Sequence, residues 1–481
     1  MNKKTTSLLK LAVCMAIAMT LILSAAAPSL AGTWNSTNAL VGTESVPANA
    51  AITKVFLVGQ ETIPPNITFT FQITKVSRNG QTDAATLAGM PVIGTPDPGS
   101  DRIGTVSVSY TPGDVYDPQR PGINSRMDQV DYLRKETQAL FPTNLQWNGT
   151  GIYVYRITEV QVTNYNIADT KKETLTLSKA QYDLQVYVAA KSSGGYYVWA
   201  IGAYPILNDA GGQTGSELGN PAGKVNPQPG GPTDGGGTGA GPYSQMIFNN
   251  SYLRHGSPDV PTDPDNDHKF RIRKVLDGIG ADNMQYFNFE VTIRKPANSM
   301  KPNYKAYVYD SASTTPNVPL TYNQITSNVQ NTNILDNSGY IKFPFGQTVT
   351  IKLRGTQYLA FTDIDAGADY IIKELGTLDY IPSYQLYKSN DNTPARSETG
   401  VMNGALQTPD SPPVIINISP TNAFIDKAVF TNKYKDVIPT GIAVNDLPYI
   451  ALVAVASIAL GGYLFFRIRS RKHDEVAVET N

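Results

Sequence analysis

Short runs in which apolar and polar residues alternate recur along almost the whole chain. ITFTFQI (67–73), YVYRITE (153–159), YDLQVYV (182–188), FNFEVTI (287–293), TVTIKL (348–353), DYIIKE (369–374) and AVFTNKY (428–434) all show the pattern. A period of two puts every second side chain on one face, so each run reads as a half-buried strand. β-Branched and aromatic residues fill these runs, and Gly and Pro punctuate the segments between them. Many short strands with such turns predict an all-β architecture of sandwiches. One exception is expected. Val130, Leu133, Thr137 and Leu140, within Met127–Phe141, stand at helical spacing and predict a short helix inserted between strands.

The ends carry targeting information. Lys3, Lys4 and Lys10 lead into an apolar run from Leu11 to Ala27, and Ser29 and Ala31 bracket Leu30. That order reads as a secretory signal peptide over residues 1–31, with cleavage after Ala31. The single cysteine, Cys14, lies inside it. The mature exported chain is therefore expected to have none, and disulfides cannot staple it. At the other end, residues 447–466 supply the roughly 20 apolar positions that cross a bilayer. Arg467, Arg469, Arg471 and Lys472 follow and assign the tail, 467–481, to the cytoplasm.

Just before the span stands Val437-Ile438-Pro439-Thr440-Gly441. Pro-Thr-Gly, an apolar span and a short basic tail together resemble a sortase sorting signal. The resemblance implies cleavage between Thr440 and Gly441, with the Thr carbonyl passed to an amine. Pro439 directly precedes Thr440, which makes this a variant of the usual signal and leaves the sortase class open.

The segment between the two ends has a length natural for two domains. The net charge of −1 gives no reason to expect a nucleic acid or another polyanion as partner. Residues 32–256 read as a first domain, with a loop rich in Gly, Pro, Asn and Thr at 208–242 inside it. Residues 268–435 read as a second, with the boundary in the turn-rich His255–Asp267.

The two halves repeat an order of motifs. Lys54 (AITKV) and Lys274 (FRIRKV) come first, each followed by Phe-rich alternation. Glu159 (YRITE) and Glu374 (YIIKE) end later strands, and Asn250 (FNN) and Asn432 (FTN) lie in closing strands. If the first and last strands of each domain are neighbours, lysine and asparagine can meet in the core. Burial favours a neutral, nucleophilic amine and a protonated carboxyl. The carboxyl can then polarise the carboxamide and shuttle protons while ammonia leaves. The product is an amide between side chains, formed once per domain without turnover, so no enzyme activity is expected.

These residues resemble the two-domain major (shaft) pilins of streptococcal type. The resemblance implies Ig-like, CnaB-like sandwiches with isopeptide bonds Lys54–Asn250 and Lys274–Asn432, with Glu159 and Glu374 as catalytic acids. It selects Asn250 over Asn249, because the reactive asparagine follows an aromatic and one further residue. It also implies that a lysine near the end of the first domain attacks Thr440 of the next subunit. Lys224, on the Gly/Pro loop, is the candidate. The partners so implied are identical subunits in a covalent homopolymer, a sortase, peptidoglycan or a basal pilin, and a host surface ligand. The alternative is a monomeric wall-anchored adhesin with the same domains, in which Lys224 has no special role. No cofactor and no metal is expected. Asp263, Asp265 and Asp267 alternate like a calcium loop, but His268 and Lys274 occupy the positions where an EF-hand needs Gly and Glu.

Overall fold

The computed structural model describes residues 40–116, 124–167, 170, 172–215, 223–231, 242–256, 270–388, 393–416, 426–435 and 447–478. The signal-peptide segment 1–31, the Asp263–Asp267 run and the sorting motif Pro439, Thr440, Gly441 lie outside the described residues.

Among the described residues the chain is all-β apart from short turns of helix and one C-terminal helix, and it carries two large apolar cores. One is built from residues between Ala48 and Tyr252, the other from residues between Phe270 and Phe430. Each core lies between two sheets. In the first sandwich the strands Tyr196–Leu207, Gln181–Ala190, Gly151–Glu159, Ile67–Arg78 and Ser100–Tyr110 run side by side in the larger sheet. The smaller sheet has Val130–Glu136, Thr53–Gly59 and Ile247–Arg254 at its centre. In the second sandwich Phe270–Asp277 lies between Gln357–Phe361 and Asp426–Tyr434, and Phe287–Arg294 lies between Thr348–Leu353 and Asp369–Glu374 in the opposite sheet. Burial alternates residue by residue along Ile67–Arg78 and Phe287–Arg294, as the sequence pattern requires.

The lysine-bearing strand and the closing strand of each sandwich are hydrogen-bonded neighbours and run parallel: Thr53–Gly59 with Ile247–Arg254, and Phe270–Asp277 with Asp426–Tyr434. A parallel pair enters at one pole and leaves at the other. Each sandwich is thus threaded end to end, and a pull on its termini would shear these two strands against each other.

The helix expected over Met127–Phe141 does not form. Asn124–Met127 and Val130–Glu136 are antiparallel strands of one hairpin. Asp128 and Gln129 turn it with φ of 51° and 57°, the left-handed pair of a tight hairpin turn. Val130–Glu136 is covered on both faces, since all its residues except Lys135 are buried. Two-sided burial erases the period of two and leaves spacings that mimic a helix.

The two sandwiches touch. Gly256 N donates to Ile364 O and Ala366 N donates to Arg254 O, each at 2.9 Å. Gln129 Nε2 donates to Asp369 Oδ2 at 2.7 Å, and Lys388 pairs with Glu61 at 2.7 Å. At the C-terminal end Leu447–Val478 is helical, and its Pro448–Arg469 stretch is long and apolar enough to cross a membrane.

Candidate functional site: two buried lysine–glutamate–asparagine clusters

On the Lys54 strand, Ile52, Lys54, Phe56 and Val58 point into the core of the first sandwich. On the closing strand the inward set is Phe248, Asn250 and Tyr252, and on the glutamate strand it is Tyr153, Tyr155, Ile157 and Glu159. The three polar groups thus occupy places where alternation calls for a hydrophobe. The second sandwich repeats this with Ile272 then Lys274, Phe430 then Asn432, and Ile372 then Glu374. All six polar side chains are buried.

The register is also repeated. Lys54 stands opposite Phe248, with Asn250 two residues further on; Lys274 stands opposite Phe430, with Asn432 two further on. Glu159 stands opposite Phe71 and Glu374 opposite Phe289, in the sheet facing the lysine. Two residues along a strand return to the same face, so lysine and asparagine become diagonal neighbours, with the glutamate across the core.

In the first cluster Lys54 Nζ donates to Glu159 Oε2 at 2.8 Å, and Asn250 Nδ2 donates to Glu159 Oε1 at 2.5 Å. Phe69 lies under the amine, 4.6 Å from Nζ to ring centroid. In the second cluster Lys274 Nζ lies 2.8 Å from Glu374 Oε1, and Asn432 Nδ2 donates to the same oxygen at 2.8 Å. Phe287 is 4.5 Å from that amine. Both glutamates touch both partners.

Burial dominates the electrostatics. Loss of hydration pushes Lys54 and Lys274 each down to about 8, against the opposing pull of Glu159 and Glu374. Loss of hydration likewise pushes both carboxyls above the usual carboxylate range, against the opposing pull of their lysines. Both partners are driven toward their neutral forms. Moving the shared proton from amine to carboxyl therefore costs less here than in water. An amine, a carboxyl that can exchange a proton with it and a carboxamide are thus held together, with entropy of encounter already removed by the fold.

A family described as a domain of unknown function (DUF7601) matches residues 268–408. No curated protein matches the chain. Among solved structures the chain is similar to the major pilin of Streptococcus pyogenes, with 15% identity over 81% of this chain and 99% of that one, at a TM-score of 0.28. It is also similar to the major pilin protein T3.2 of the same species, with 16% identity over 81% and 98% and a TM-score of 0.26. A pilus-presented adhesin is similar at 10% identity over 80% and 99%, with a TM-score of 0.23.

Three further residues belong to the first cluster's surroundings and had no sequence signal. Asp209 accepts from Ser178 Oγ at 2.5 Å and from Asn249 N at 2.9 Å, and Ser178 N donates to Asn250 Oδ1 at 2.6 Å. Asn249 turns away from Glu159 and gives its amide to Asp209. Glu136, buried, accepts the backbone N–H groups of Gly230, Gly231 and Ser244. It fastens the later part of the Gly/Pro loop, and the chain just after it, to the sheet.

Lys224, the loop lysine singled out in the sequence, lies against the larger sheet. Val225 N donates to Ala203 O at 2.9 Å, which ties this piece of the loop to the strand Tyr196–Leu207. The half-buried Lys224 stem lies over Gly202, where an added Cβ would stand 3.1 Å from Cε. Its amine is 5.5 Å from the Tyr204 ring centroid.

Proposed function

We propose that the chain is the shaft subunit of a covalent pilus, secreted, polymerised by a sortase and attached to the cell wall. Lys54 bonds to Asn250, and Lys274 bonds to Asn432. Glu159 and Glu374 take the amine's proton and hand a proton to the departing ammonia. A sortase cuts Thr440–Gly441 and joins the Thr440 carbonyl to Lys224 Nζ of the next subunit, releasing the segment that begins at Gly441. The precursor is held in the membrane by Pro448–Arg469 until that step.

The observation that carries the reading is the duplicated cluster. Two separate cores each bury one lysine, one glutamate and one asparagine in one register, at the strand pair that tension would shear. A buried charged pair is a poor way to stabilise a core, and an apolar trio would serve better. Converting lysine and asparagine to an amide removes the charge and locks the two strands. Load then runs through side-chain amides and intersubunit amides rather than through hydrogen bonds. The locks also suit an exported chain whose one cysteine lies in its leader.

The test is the wall extract of cells expressing the chain. A ladder of high-mass species that survives boiling in detergent, lost on Lys224→Arg while wall attachment persists, is the expected result. Wall attachment of a single band with no ladder would instead favour a monomeric adhesin.

A further inference from the structure

We propose that Asp209 is a positioning residue for bond formation in the first sandwich, acting through the backbone N–H of Ser178. This rests on the isopeptide reading above. Asp209 clamps two elements together. Its Oδ1 accepts from Ser178 Oγ at 2.5 Å and from Asn249 N at 2.9 Å, and its Oδ2 accepts from Asn249 Nδ2 at 2.7 Å. Its backbone carbonyl accepts from Lys179 N at 2.9 Å. Ser178 is thereby fixed beside the closing strand, with its own N–H 2.6 Å from Asn250 Oδ1.

That oxygen is where charge develops. As Lys54 Nζ adds to Asn250 Cγ, the C=O electron pair moves onto Oδ1. The tetrahedral centre then collapses, the C–Nδ2 bond breaks, and Nδ2 leaves as ammonia with a proton delivered by Glu159. Glu159 is replenished by the proton lost from Lys54, so one amine and one primary amide give one secondary amide and one ammonia. A backbone donor already aimed at Oδ1 stabilises the intermediate without reorganising. The second cluster has no such device among the described residues: Asn432 Oδ1 has no hydrogen-bond partner there. The two sandwiches therefore run the same chemistry with and without an oxyanion donor.

The experiment uses the full-length chain made in a short cell-free pulse with detergent, quenched in acid at intervals. Digestion and mass spectrometry then give the cross-linked fraction at Lys54–Asn250 and Lys274–Asn432 in the same molecules. In the parent, the first bond is expected to form at least about tenfold faster than the second, a conservative share of the 10²–10³ that one oxyanion donor supplies. Asp209→Ala and Ser178→Ala should slow the first bond about tenfold and leave the second unchanged. Asp209→Asn, which keeps an acceptor for Ser178 Oγ and Asn249 N, should restore most of the rate. Rescue by Asn separates positioning from loss of fold. An unchanged first-bond rate in Asp209→Ala and Ser178→Ala would overturn the proposal while leaving the isopeptide reading intact. Absence of both cross-linked peptides from the parent would overturn that reading as well.

Discussion

Lys54 Nζ lies 2.8 Å from Glu159 Oε2, and neither side chain retains any exposed surface. Two opposite charges sealed at that distance repay their lost hydration only in part. The pair is better understood as a poised reactant than as a stabilising ion pair, and its energetics follow from that.

Lys54→Met removes the cross-link. Losing the covalent constraint on the long loop costs about 4–5 kcal/mol. Glu159 loses no cation thereby, because the bonded parent has already spent the charge of Lys54, so Lys54→Met with Glu159→Gln should unfold close to Lys54→Met alone. Guanidinium unfolding of the three proteins checks this, and a midpoint for Lys54→Met as high as the parent's would contradict it.

An Asn250→Ala chain cannot form the first bond, so its lysine stays titratable. Folded Lys54 titrates at about 8, below the 10.5 of the exposed group, because burial disfavours its charge. Between those values the unfolded state binds more protons than the folded one, so stability rises with pH across that window. Denaturation midpoints of Asn250→Ala should climb from pH 8 toward pH 10, relative to Asn250→Ala with Lys54→Met, which should lack the climb.

Glu136 holds the later part of the Gly/Pro loop, and Ser244 just after it, by backbone hydrogen bonds. Glu136→Ala leaves those N–H groups without a charged acceptor and should cost about 2–4 kcal/mol. Protease should then cut near residues 223–231 well before the sandwich core, and Glu136→Gln should fall between the two. Cleavage no faster than in the parent would show that the loop is held by other means.

Much of the fold was legible because alternation survives wherever a strand has one wet face. Ile67–Arg78 and Phe287–Arg294 read correctly for that reason. Val130–Glu136 did not, since burial on both faces left only accidental helical spacings, and its Asp128–Gln129 turn lacks the glycine that usually marks a left-handed pair. The six cluster residues were legible as a set because two copies in one order are harder to attribute to chance than one. Asp209, Ser178 and Glu136 were not. Each acts from a position whose partner is a backbone N–H or a distant residue, and no local pattern records that. The setting of Lys224 was not legible, because its packing over Gly202 depends on the bridge between Val225 and Ala203, which no local pattern records.

The most direct test is the intact mass of the secreted region, residues 32–440, beside its Glu159→Ala and Glu374→Ala variants. The parent should be lighter than its sequence by two ammonias and each variant by one. A parent at its full calculated mass would mean that neither lysine reacts. The clusters would then be ordinary buried ion pairs, and the covalent account of the shaft would be wrong.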